Sequence, residues 1–208
     1  KVHRFFSEHF DRIEVIFFVR EPVGLYQSVV QQYVKAASVF PGPNLKFKFR
    51  SVIEAWRSYF PVIVRAFDSG RDVVKTFCEA TGIDASSFSK VSERNQSLSM
   101  EQVFLLCKIQ HYLYRERENF FKPHLKVISD NPPPKSMFHK PMVTNQVRAL
   151  LWENHVAEFE WLNKKCGTSF MVPSSGEKIT RKMRKLSGNF DNLPSIFEVD
   201  FETSAKYE

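Results

Sequence analysis

The chain has 208 residues, enough for one sizeable domain, and its 43% hydrophobic and 25% charged content is that of an ordinary globular protein rather than a disordered one. No apolar run approaches the roughly 20 residues that cross a bilayer, and no signal peptide is recognisable. The net charge of +7 favours an anionic partner such as a nucleotide, a sulfated or phosphorylated substrate or nucleic acid, and fits a merely soluble surface equally well.

Three widely spaced cysteines, Cys78, Cys107 and Cys166, show no CxxC spacing, which argues against a zinc site or disulfide framework; they read as reduced core thiols. His111, His139 and His155 have no metal-ligand spacing, so no metal is assigned. The 21 phenylalanines point to a thick aromatic core.

In chain order, residues 2–12 read as a short amphipathic helix with Phe5, Phe6 and Phe10 on one side. Residues 14–19, EVIFFV, are a short apolar run of β-branched and aromatic residues, the pattern of a strand covered on both faces. Pro22 suits the first turn of a helix, where its missing N–H costs nothing. Leu25, Val29, Tyr33 and Ala37 recur at i, i+4, with Tyr26, Val30 and Val34 beside them, so this stripe is expected to face a core. Gly24, Ser28, Gln31 and Lys35 fall opposite it.

A Pro-Gly-Pro break at 41–43 leads into the basic segment LKFKFR. Ser51 with Glu54 has capping-box spacing, opening a helix through Phe60. Residues 62–67, VIVRAF, read as a second strand. Ser69 and Asp72 start a helix whose Val73, Val74 and Phe77 are expected to face inward, ended by Gly82. The order strand–helix–helix–strand–helix over 14–82 indicates an α/β unit with a parallel sheet.

The remainder is helical. Ser99 with Gln102 has the spacing of another capping box, ahead of the apolar run 103–114. A proline-rich loop at 130–142 precedes a long helix from about Thr144 to Cys166, closed by Gly167. The domain is placed at 1–170, with a polar tail at 171–208, loosely ordered or packed on it, that carries RKMRK at 181–185. Two strands do not make a free-standing parallel sheet, so further strands are expected in the tail or, by preference, upstream of Lys1.

The chemistry gathers on 15–30, VIFFVREPVGLYQSVV. A residue at the carboxyl end of a parallel strand faces the crevice where α/β proteins bind ligands, and Arg20 is in that place. A helix starting at Glu21–Pro22 turns its positive end to the same crevice, Arg is the side chain best shaped for a bidentate phosphate grip, and Ser28 can add a bond. The bland alternative is an Arg20 paired with Glu21 or a core carboxylate and a solvated Ser28.

This strand–Arg–[Asp/Glu]–Pro–x5–Ser pattern resembles the 3′-phosphate-binding segment of sulfotransferases, P-loop-like enzymes that use 3′-phosphoadenosine 5′-phosphosulfate (PAPS). Trp56 before VIVRAF, then DVVKTFCEATGID, ERNQSLS and the late EWLNKKCG are similar, in order, to bacterial sulfotransferase-like proteins over roughly residues 2–170. The resemblance implies a P-loop-like parallel sheet flanked by helices, with a helix-rich C-terminal half. It implies PAPS as cofactor, PAP as product, and Arg20 and Ser28 on the 3′-phosphate.

The loop that would cradle the 5′-phosphosulfate is not found: no Gly precedes Lys-Ser or Lys-Thr, and SSGEKIT at 174–180 comes in the wrong order. That loop and the catalytic base are expected upstream of Lys1. Within the chain Glu8 and His9 offer themselves as the base, and read otherwise as solvated helix residues. Lys46, Lys48 and Arg50, alternating with Phe47 and Phe49, and Arg65 near the second strand's end are possible substrate or cofactor contacts, or a solvated face. Arg94 and Asn95 could reach the site, whereas Ser97 and Ser99 are explained as caps.

The leading expectation is a sulfotransferase moving a sulfuryl group from PAPS to a hydroxyl or amine, a carbohydrate among the acceptors. No nucleic acid and no membrane segment are expected, and the location is expected to be cytoplasmic. The alternatives are a non-catalytic relative that binds nucleotides or anionic glycans, and a P-loop kinase-like phosphotransferase.

Overall fold

The computed structural model describes residues 2–36, 41–67, 73–88, 97–113, 123–131, 139–173 and 196–198. It divides into two compact units, one of Lys1–Glu21, Lys46–Ser92 and His155–Ser174, the other of Pro22–Leu45, Glu93–Asn154 and Ser175–Glu208. The helices are α1 (Val2–His9), α2 (Pro22–Ala36), α3 (Phe49–Arg57), α4 (Val73–Thr81), α5 (Met100–Leu113), α6 (Pro123–Asp130) and α7 (Asn145–Cys166); the strands among the described residues are β1 (Val15–Val19) and β2 (Val62–Ala66). The fold is mixed helix and strand, broadly α/β.

The first unit holds the sheet. β1 and β2 pair in parallel, in register from Val15 with Val62 to Val19 with Ala66. The ladder is closed at its amino end by the Val15 N–H on the Pro61 carbonyl (2.9 Å) and at its carboxyl end by the Phe67 N–H on the Val19 carbonyl (2.7 Å). Both strands run in one direction because helical chain intervenes between them.

α3 begins two residues before Ser51, so the expected capping box does not form. Ser51 lies inside the first turn and its hydroxyl donates to the Lys48 carbonyl (3.1 Å), while the cap position, Lys48, makes no side-chain bond. A carboxylate distant in sequence does that work: Glu158 accepts the Arg50 N–H at 2.8 Å, a negative group at the positive end of the helix.

Three such links share one spacing. Phe47 N–H donates to His155 Nε2 (2.9 Å), Arg50 N–H to Glu158, and Arg57 Nη2 to the Lys165 carbonyl (3.4 Å), each pair 108 residues apart. Residues 47–57 therefore lie alongside 155–165 in parallel, residue for residue. The rings of Phe47, Phe49, His155, Phe159 and Phe170 meet along this seam, with centroids 4.8–6.0 Å apart. α4 ends at Gly82 (φ +71°), a left-handed turn suited to glycine. Its first turn is less buried than expected: Val73 and Val74 are exposed, and the short helix buries Cys78 instead.

In the second unit α2 packs on α5. Of the two adjacent rows expected to face the core, Tyr26, Val30 and Val34 are buried and joined by Val23, whereas Leu25 and Val29 are half-buried and Tyr33 is exposed. Steps of 3, 4 and 4 hold one helix face, whereas repeated steps of four drift around the axis. Gln31, placed outside by the pattern, is buried: its Oε1 accepts the Leu98 N–H at 3.1 Å.

At the start of α5 the Ser99–Gln102 capping box forms as expected, with Ser99 N–H on Gln102 Oε1 (2.9 Å) and Gln102 N–H on Ser99 Oγ (3.2 Å). Gln102 Nε2 continues to the Ile128 carbonyl in α6 (2.7 Å). Beside it Glu101, buried, meets His139 Nδ1 at 2.5 Å, while the Met100 N–H donates to the His139 carbonyl. Burial alone pushes the Glu101 carboxyl up, but its hydrogen bonds, led by that from His139, bring it below the ordinary value.

Cys107 on α5 is half-buried and its thiol is pushed up to about 12 by burial. Thr144 caps α7 through Oγ1 and the Val147 N–H (3.3 Å), and Gly167 (φ +67°) ends it. Of the tail, residues 196–198 bridge antiparallel to 142–144, with Ile196 and Phe197 buried; RKMRK lies outside the described residues, as do Arg94 and Asn95.

Candidate functional site

Arg20 and Phe67 are the residues that follow the last ladder pair, Val19 with Ala66, so both stand at the carboxyl end of the sheet. The Arg20 guanidinium lies over the Phe67 ring, 5.1 Å from its centroid. A cation over an aromatic face is attracted by the ring without committing its N–H groups to a conventional acceptor. Among the described residues no carboxylate is within ion-pair distance of Arg20, so the pairing with Glu21 or a core acid is not made there. Arg20 is half-buried, so an anion meeting it is only partly screened by water.

Ser28 belongs to the second unit. It sits in the second turn of α2 and is half-buried, not on a fully exposed face as the helical pattern implied. α2 is covered on more sides than its apolar stripe indicates, as the burial of Gly24 and Gln31 also records.

Glu8 and His9 are exposed on α1 and are engaged within that helix. Glu8 pairs with Arg4 (2.8 Å), and His9 Nδ1 meets the Phe5 carbonyl (2.8 Å) with its ring stacked on Phe5. Lys46 and Lys48 are exposed in the extended chain before α3, and Arg50 is exposed in its first turn, with Phe47 and Phe49 half-buried between them. The alternation holds although the segment is a loop entering a helix rather than a strand. Arg50 Nε is bonded to Glu54 (3.2 Å) and its guanidinium lies over Trp161 (5.8 Å to the centroid). Arg65 is exposed on β2, opposite Phe18 in the register, and donates to the Val64 carbonyl (3.2 Å).

No residue pattern marked a cleft of about 530 Å³ at the sheet's other, amino end, lined among others by His3, Ser7, Asp11, Arg12, Tyr59 and Pro61. Among its polar groups Ser7 Oγ meets His3 Nε2 (3.4 Å) and Arg12 pairs with Glu14 beside the cleft (2.6 Å). The Glu158 cap and the Trp161 stack were equally hidden, because each depends on which distant segment lies beside α3.

Set against models of known families, curated proteins and solved structures, the chain matches none. Among the described residues no helix is long and apolar enough to cross a membrane.

Proposed function

We propose that this chain carries the 3′-phosphate half of a PAPS site and serves sulfuryl transfer to a hydroxyl or amine acceptor on a P-loop-like sheet. One observation carries the reading: Arg20 at the carboxyl end of a parallel strand, over the Phe67 ring, with no carboxylate partner among the described residues. That is the position from which open α/β sheets hold ligands, and a guanidinium offers a phosphate two parallel N–H bonds. Lys46, Lys48 and Arg65 remain contacts for cofactor or acceptor; Arg50, engaged by Glu54, serves that role less well. Sulfuryl transfer also needs a base and donors around the moving sulfonate, and no loop for the 5′-phosphosulfate exists in these 208 residues.

Calorimetry with 3′,5′-ADP against 5′-AMP tests the reading. The 3′-phosphorylated nucleotide is expected to bind more tightly, and Arg20→Ala to erase a preference of about 10- to 100-fold, the worth of one charge-assisted phosphate contact. An unchanged preference in Arg20→Ala, or no preference in the parent, refutes the assignment. Binding of ATP–magnesium without response to PAPS points to phosphoryl transfer instead.

A further inference from the structure

We propose that the outer surface made by α3 and the end of α7 binds a linear polyanion of the sulfated-polysaccharide class. The proposal requires neither Arg20 nor any transfer of a group, although Lys46 and Lys48 enter both readings.

The parallel register of 47–57 with 155–165 gathers cations that are far apart in sequence. Lys46 and Lys48 stand exposed at the amino end of α3; Arg57, Lys164 and Lys165 stand exposed at the other end, where Arg57 reaches the Lys165 carbonyl (3.4 Å) and Cys166 Sγ (3.3 Å). Between them, Arg50 and Arg57 both lie over Trp161, 5.8 and 5.7 Å from its centroid. Cations fixed on an indole lose less side-chain entropy on binding than free ones.

Two acids at its middle are engaged, Glu54 with Arg50 Nε and Glu158 with the Arg50 N–H, while Glu160 stands exposed one turn before Lys164 and offsets one of the three charges at that end. Among the described residues none of Lys46, Lys48, Arg57, Lys164 or Lys165 has a carboxylate within ion-pair distance. The result is two net positive poles separated by a helix about 14 Å long. A single phosphate or sulfate reaches one pole; an extended polymer with repeated charges meets both. A polysaccharide fits better than single-stranded nucleic acid, whose affinity draws on base stacking, because the guanidiniums already lie over the ring that would stack.

Fluorescence anisotropy with a labelled chondroitin sulfate hexasaccharide, at about 50 and 200 mM salt, tests this. Binding that weakens with salt is expected. Arg57→Gln with Lys164→Gln and Lys165→Gln should weaken it about tenfold, as should Lys46→Gln with Lys48→Gln, which touches no bond seen in the structure. Lys75→Gln with Lys126→Gln and Lys140→Gln, three exposed lysines elsewhere, should change it less than about twofold. Equal losses in the patch and control variants overturn the proposal, since diffuse charge would then suffice. So does an oligodeoxythymidine of equal charge binding as tightly, or no salt-dependent binding at all. Arg20→Ala is expected to leave the hexasaccharide affinity unchanged, which separates this surface from the nucleotide site.

Discussion

Changing Gln102 to Leu strips three polar roles down to one while nearly conserving shape. The Ser99 N–H loses its acceptor and the Ile128 carbonyl loses its donor, whereas the Gln102 backbone N–H still reaches Ser99 Oγ. Each buried polar group left alone costs about 1–3 kcal/mol, so Gln102→Leu should cost about 2–6 kcal/mol. Ser99→Ala removes the complementary half of the box together with the hydroxyl's bond to the Glu101 carboxylate, and should cost about 1–2 kcal/mol. In a chain of this length each kcal/mol moves the melting temperature by about 2–4 °C, so the two variants should differ by several degrees. Urea unfolding followed by circular dichroism gives the totals, and hydrogen exchange over residues 97–106 locates them. A loss in Gln102→Leu no larger than in Ser99→Ala refutes the reasoning, as does unchanged protection at the start of α5.

Glu158→Ala should cost about 0.5–2 kcal/mol by uncapping α3, with Glu158→Gln recovering most of it, as measured by urea unfolding. The Glu101 carboxyl is depressed in the folded state, so its stabilising effect is present above the ordinary value of 4.5 and is lost as pH falls through the lower folded value. Glu101→Gln should therefore be less stable at neutral pH and show a flatter loss across that acid range in thermal melts. Cys107, pushed up to about 12, is about one part in ten thousand thiolate at pH 8. Iodoacetamide followed by peptide mass mapping should label it only after unfolding; labelling of the native protein within minutes contradicts its burial.

What could be read along the chain was what local chemistry decides. EVIFFV and VIVRAF hold strands because β-branched and aromatic residues suit extended pairing, although the sheet is less covered than the apolar run of the first implied, with only Val19 and Val64 buried, and Ser99 with Gln102 caps α5 because both partners lie within one turn. Gly167 closes α7 for the same kind of reason. Ser51 and Glu54 have the same spacing and failed, since Glu158, supplied by a distant helix, satisfies the α3 amino end two residues earlier. The α2 stripe was legible only in part: both adjacent apolar rows were expected at the core, and only the packing on α5 decides that the row through Tyr26, Val30 and Val34 is the buried one. Of the candidate site, Arg20 at the strand end was legible from the strand itself. The Phe67 ring beneath it was not, because that contact depends on the pairing of β1 with β2.

The 108-residue spacing along the α3–α7 seam also sets an order of events in time. α3 has nine residues, below the roughly 12–15 at which an isolated helix holds in water, and its amino-end acceptor is translated long after it. Closing a flexible loop of that length costs about 4 kcal/mol in chain entropy before any bond returns. Phe47 and Arg50 therefore wait for His155 and Glu158, and the first unit takes its final form only when α7 arrives. A nascent chain paused before residue 155 would hold α3 against β1 and β2 alone, with its amino end uncapped and its aromatic seam uncovered.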